Sequence, residues 1–126
     1  MRDGIEAIRT ILIADANVLN LVEAKRIVAG TGLNSRLGYP RIVIFELANT
    51  QMFQTMDEIV FQLTCAVNTK IDNAEEIADA VETALKDKRP VANRTFRFGR
   101  VRRTPIKSDH ESAVHLDYEI VVFRDI

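Results

Sequence analysis

Residues 57–69, DEIVFQLTCAVNT, alternate in character almost without a break. Ile59, Phe61, Leu63, Cys65 and Val67 fall on one side of an extended chain, and Glu58, Val60, Gln62, Thr64 and Ala66 on the other, because successive strand side chains point to opposite faces. Such a strand requires a sheet with one covered face, so the rest of the chain has to supply neighbours and a cover. The cover is found in DNAEEIADAVETALKDKRP, residues 72–90. Ile77, Val81 and Leu85, with Ala74, Ala78 and Ala84, make one apolar helical stripe. Asn73 followed three residues later by Glu76 predicts a variant capping box. Lys86, Lys88 and Arg89 suit the negative end of the helix dipole, and Pro90 stops the helix. The acids of this segment read as a solvated helix face rather than a metal site or an acid–base pair.

Neighbouring strands are predicted at 41–48 (RIVIFELA), rich in β-branched and aromatic residues, and at about 94–103 and 113–124. The first pairs with 57–69 through NTQMFQTM, residues 49–56, read as a long hairpin tip. TPIKSDHES, residues 104–112, is read as a polar loop. At the amino end Ile5, Ile8, Ile11 and Leu12 predict a helix over 5–14 with Asp3 as N-cap. Asp15 caps a second short helix near 16–22 that carries Val18, Leu19 and Val22. Ile27 and Val28 make a brief strand. The glycine-rich GTGLNSRLG then forms an exposed loop that ends at Pro40. The coarse order is α-β-β-β-α-β-β, and 126 residues suit a single domain spanning 1–126.

Composition excludes several function classes. Seventeen basic and eighteen acidic residues leave a net charge of −1, whereas a dedicated nucleic-acid binder is usually much more basic. No run approaches the ~18 apolar residues of a membrane span, and no secretory signal is expected. The single Cys65 lies in an apolar stripe, where a buried inert thiol is expected rather than a nucleophile. With two histidines, His110 in a loop and His115 in a strand, and no C-x-x-C, neither a zinc site nor a catalytic pair emerges. No lipase-type serine motif, Walker loop or dinucleotide fingerprint is present, so no enzyme activity and no cofactor are expected.

The stretch TFRFGRVRR concentrates charge. Lys88 to Lys107 holds eight basic residues and no acid. Its arginines, Arg97, Arg100, Arg102 and Arg103, alternate with Phe96 and Phe98. The pattern does not match the aromatic signature of RNA-recognition sheets. The following strand, AVHLDYEIVVF, carries Asp117 and Glu119. A hairpin between the two sets these acids near the arginines, so ion pairs within the sheet or between subunits are expected. Gly99 is read as a bulge that shifts the alternation, because Val101 is out of phase with Phe96 and Phe98.

The order of EAIRTILIADANVLNLV, a glycine loop, YPRIVIFE, DEIVFQLTCAV, NAEEIADAVETAL and a terminal strand pair ending LDYEIVVF resembles the tail-completion, or tail-terminator, family of tailed bacteriophages and related phage-derived particles. The resemblance covers nearly the whole chain. It implies a small α+β fold, mainly antiparallel, with helices packed on one side of the sheet and no cofactor. It further implies a virion structural protein, located at the head-proximal end of the tail and assembled in the host cytoplasm. Such proteins form a ring, commonly of six copies, that caps the tail tube and halts its growth. The ring presents a surface to the head's connector or stopper protein and makes at most non-specific contact with passing DNA. Ring contacts are expected through the strands at 41–67 and 94–124. Met52, Phe53 and Met56, in the apolar tip, either fold back over the chain's own core or dock on the tube or a neighbouring subunit. Two alternatives remain on sequence: a head-side stopper or connector component, and a small nucleic-acid-binding protein using residues 94–103.

Overall fold

The alternating strand lies at the centre of the sheet. In the computed structural model, which describes residues 2–30, 38–53, 55–91 and 94–123, it runs from Met56 to Val67 as β3. The other elements are α1 (Arg2–Ile13), α2 (Ala16–Leu21), a 3-10 turn (Ala24–Arg26), β1 (Ile27–Ala29), β2 (Arg41–Phe53), α3 (Ile71–Leu85), β4 (Thr95–Lys107) and β5 (Ser112–Phe123). The sheet has five strands in the order β1-β2-β3-β5-β4. β1 is parallel to β2, and every other pairing is antiparallel. This is the α+β arrangement that the family resemblance implied.

Ile59, Phe61, Leu63 and Cys65 are fully buried, and the stripe Ala74, Ile77, Ala78, Val81, Ala84 and Leu85 of α3 packs into the same core. Ile8 and Leu12 of α1 and Val18 of α2 complete it. The helices thus cover one face of the sheet. A few small side chains of the other face, Ala66 and Ala113 among them, are buried by their own neighbours.

Several local expectations are corrected. α1 begins at Arg2, so Asp3 lies inside the helix and is not its N-cap. α3 begins at Ile71 after Lys70, which gives no side-chain cap; Asn73 sits in the first turn and donates from Nδ2 to Thr69 Oγ1 at 2.8 Å. Lys86 is the C-cap, so the basic cluster lies beyond the helix rather than in its last turn. Asp15 does cap α2, accepting from Val18 N at 3.0 Å.

The hairpin of β2 and β3 has no long tip. β2 continues to Phe53 and β3 starts at Met56, which pairs with Phe53. NTQMF is strand because its residues continue the ladder opposite Met56–Ile59, with a register shift that absorbs Met52, as an earlier one absorbs Leu47. β4 likewise extends through Thr104, Pro105 and Ile106, leaving 108–111 as the turn, closed by Ser108 N donating to Glu111 O at 2.9 Å. A proline is tolerated in β4 because this strand is at the sheet's edge. Gly30 is demanded by packing: a Cβ there would sit 2.1 Å from the Phe45 ring.

Candidate interface

β4 positions the arginines through a change of phase. Its register against β5 shifts at Phe96 and at Val101; Gly99 stays in register opposite Glu119, so the glycine is not the bulge. Without a shift, Arg97 and Arg103 would share a face and Arg100 and Arg102 the other. The bulge at Val101 inverts this. Arg97 and Arg102 point to the open face and meet Glu119 and Asp117, the latter at 3.4 Å. Arg100 and Arg103 turn to the helical side and meet α3.

The α3 contacts form a cluster. Arg103 Nη1 donates to Asp79 Oδ1 at 2.8 Å and to Glu82 Oε2 at 2.6 Å, and Nη2 donates to Glu75. Arg100 pairs with Glu82 as well. Burial alone would lower the Arg103 pKa, but the hydrogen bonds it donates to Asp79, Glu75 and Glu82 more than offset it and raise it. These carboxylates are therefore not the freely solvated face that the sequence suggested. Their spacing over two helical turns, beside the apolar stripe, is the signal that could have identified them.

Beneath the arginines, Phe98 stacks on Tyr118 with centroids 5.1 Å apart. Burial, and then the charge of Glu82, push the Tyr118 phenol up. Burial also pushes the Cys65 thiol up to about 12, which keeps it protonated and unreactive. On the open face, Gln62 Nε2 donates to Asp117 Oδ1 at 3.1 Å. At its far end Arg41 lies over the Tyr39 ring and donates to Glu111 at 2.8 Å, while Tyr39 Oη donates to the same carboxylate at 2.9 Å. His115 is half-buried in β5, and His110 is exposed in the turn.

All four predicted arginines, with Asp117 and Glu119, are thus brought together around β4 and engaged within the chain. Met52 is exposed as a bulged residue of β2, and Met56 is half-buried opposite Phe123. Neither belongs to the core. Phe53 closes β2, and its side chain lies outside the described residues. Sequence reasoning missed Leu47, Phe96, Val101, Ile106 and Phe123, all large, apolar and exposed. Phe96 and Phe123 contact each other edge to face at 5.7 Å.

The described residues contain no group of His, Cys, Asp or Glu placed to hold a metal ion, and no helix long and apolar enough to cross a membrane. A hollow of about 270 Å³ between α2, α3 and the end of β3 is lined by Leu21, Val67 and Ile77, with Glu76 as its ionisable member. One carboxylate with no partner base offers no acid–base pair. What the surface does offer is open sheet edges and exposed apolar side chains, which is the chemistry of association.

The comparisons with known proteins agree with that character. A chain in a solved structure, "Virion of native gene transfer agent (GTA) particle", is similar in fold, with a TM-score of 0.72 and 16% identity. The likeness covers 95% of this chain and 94% of that one. None of the curated protein sequences matches. The family model for tail completion protein gp17 matches residues 6–122, and the chain belongs to that family of structural tail proteins.

Proposed function

We propose that copies of this protein form a ring, commonly of six, that caps the tail tube, ends its elongation and presents a surface to the head's connector or stopper. In this reading the protein sits at the head-proximal end of the tail after assembly in the host cytoplasm. The observation that carries it is a sheet open at both sides among the described residues. β4 is outermost on one side, and on the other β1 pairs only with Ile42–Ile44 of β2. Two different edges of one sheet make a head-to-tail contact, which closes into a ring when the rotation closes. A ring matches the rotational symmetry of a tube end. The fold-level likeness to a chain of a gene transfer agent virion supports a place in such a particle.

The basic strand contributes to holding the fold together rather than to gripping nucleic acid. Arg97, Arg100, Arg102 and Arg103 each have an acidic partner, so few counterions remain for a phosphate backbone to displace. The test is tail length. Tails assembled without the protein should overgrow, and added protein should restore a uniform length seen by electron microscopy, with light scattering giving the mass of the cap. Tails of unchanged length without it refute the reading. Tight duplex binding with a steep salt dependence would instead favour the nucleic-acid-binding alternative.

A further inference from the structure

The ladder of the sheet places its irregularities at matching heights. On the open face one row runs Phe45–Gln62–Asp117–Arg102, the next Ala48–Val60–Glu119–Gly99, and another Thr50–Glu58–Val121–Arg97. Between the first two rows β2 holds an extra residue, Leu47, and β4 holds an extra residue, Val101. Beyond the third row the same happens with Met52 and Phe96. β3 and β5 pair with each other without a shift. The two edges therefore bulge about the same two rows, Leu47 and Val101 flanking Glu46–Phe61–Tyr118–Arg100 and Met52 and Phe96 flanking Gln51–Asp57–Val122–Thr95, and each bulged residue is large, apolar and exposed: Leu47 53%, Met52 41%, Phe96 56% and Val101 60%. A bulge that only protected an edge from association would be expected to carry charge or a small residue.

We infer that β2 of one copy pairs antiparallel with β4 of the next in the register that continues these rows unstaggered. This rests on the ring reading and specifies its joint. Phe45 lies opposite Arg102 of the next copy, Ala48 opposite Gly99 and Thr50 opposite Arg97. Glu46–Leu47 faces Arg100–Val101, and Gln51–Met52 faces Thr95–Phe96. No residue is left over on either strand, because two face two at each bulge. Side-chain faces agree at every row, since Phe45, Ala48 and Thr50 share the open face with Arg102, Gly99 and Arg97. β2 and β4 run in opposite directions within one sheet, so a neighbour related by rotation alone presents its strand antiparallel. A rotation with no shift along the strands closes as a ring rather than climbing as a filament. Charge also agrees, with Glu46 on the same, helical face as Arg100. Pro105, which has no N–H to give, falls below the joint, opposite Ile42, which β1 already pairs.

Cysteine pairs read this register. Opposed residues of an antiparallel pair have Cα atoms about 4.5–5.5 Å apart, within disulfide range. Ala48 is exposed, and a Cβ at Gly99 meets nothing within 4 Å, so Ala48→Cys with Gly99→Cys leaves the subunit intact, while native Cys65 is buried. Oxidised at high concentration or on tail tubes, this double variant should give a ladder of covalent multimers ending at the ring size. It should form at least about tenfold faster than for the off-row pair Ala48→Cys with Thr104→Cys. In the unmodified protein, β4 amides at 97–102 should exchange more slowly in the oligomer than in the dilute monomer. If rings form but the on-row pair cross-links no faster than the off-row pair, or if Gly99→Cys alone dimerises as fast, this joint is wrong and the ring reading survives. If no oligomer forms at high concentration or on tubes, both are overturned.

Discussion

Arg103 makes the most demanding test of how β4 is held. Its side chain is 20% exposed and reaches three carboxylates of α3: Asp79 at 2.8 Å, Glu82 at 2.6 Å and Glu75. Arg103→Ala removes the cation and leaves the acids facing one another over two helical turns. Removing one partner of a fully buried pair costs roughly 3–5 kcal/mol. Here Asp79 is 71% exposed and Glu75 37%, and water takes over part of their solvation, while Glu82 at 24% is the best shielded. The discounted cost is about 2–3 kcal/mol, or roughly 10 °C in Tm for a chain of this length. Urea unfolding of the isolated subunit at neutral pH measures it. Arg102→Ala is the comparison, since Arg102 is 71% exposed and 3.4 Å from Asp117, and it should cost no more than about 0.5 kcal/mol. A double-mutant cycle with Glu82→Ala should return a coupling of about 1–2 kcal/mol. A cost below about 0.5 kcal/mol for Arg103→Ala, or equal costs for the two arginines, would refute the argument that the α3 cluster anchors the edge strand.

Three further outcomes follow from single contacts. Gly30→Ala drives a Cβ to within 2.1 Å of the Phe45 ring and should destabilise by about 1–3 kcal/mol in thermal melts, a cost that disappears in a Phe45→Ala background. Cys65 and Tyr118 are acids kept neutral by burial, with folded pKa values raised, so the unfolded chain ionises first and stability falls as pH rises above the unfolded values. Denaturation between pH 9 and 11 should therefore show a loss of about 1.4 kcal/mol per pH unit for each group in its window, and Cys65→Ala should remove the part that begins nearest pH 9. Met52→Ser, at an exposed bulge, should leave the subunit's unfolding free energy in urea unchanged within about 0.5 kcal/mol while lowering the mass seen by light scattering; a large loss of stability would return Met52 to the core.

Where one periodicity dominated, the fold was legible. The alternation of β3 and the apolar stripe of α3 have one physical solution, and both elements appear with the buried residues expected. Ends were less legible because they depend on partners distant in sequence. NTQMF looks like a turn by composition, but β3 continues alongside it and its backbone completes the ladder. Lys70 rather than Asn73 stands at the N-cap because the chain leaves β3 and turns onto the sheet's face at that point. The arginine partners were half legible. Asp117 and Glu119 follow from hairpin pairing, whereas Glu75, Asp79 and Glu82 require knowing that Val101 is bulged. A two-residue repeat cannot reveal a residue that interrupts the repeat.

That interruption also accounts for why an edge strand carries so much charge. The core face of β5 is covered by α3, but β4 lies one strand further out, and aliphatic side chains from the helix do not span that distance as readily as arginine does. Arg100 and Arg103 reach back to α3 with their charged ends from positions opposite Tyr118 and Leu116 of β5. Phe98 adds the stacked contact below. Arg97 and Arg102 tie the other face of β4 to β5. The strand is thereby fastened from both faces, and among the described residues no strand pairs with its outer edge. A sheet that kept its edge strand only through apolar burial would need a helix over β4, and that helix would obstruct the edge at which the proposed neighbouring strand docks. Ion pairs from α3 and β5 secure the strand without adding bulk there, so the arginine-rich sequence and the open edge are two consequences of one structural requirement.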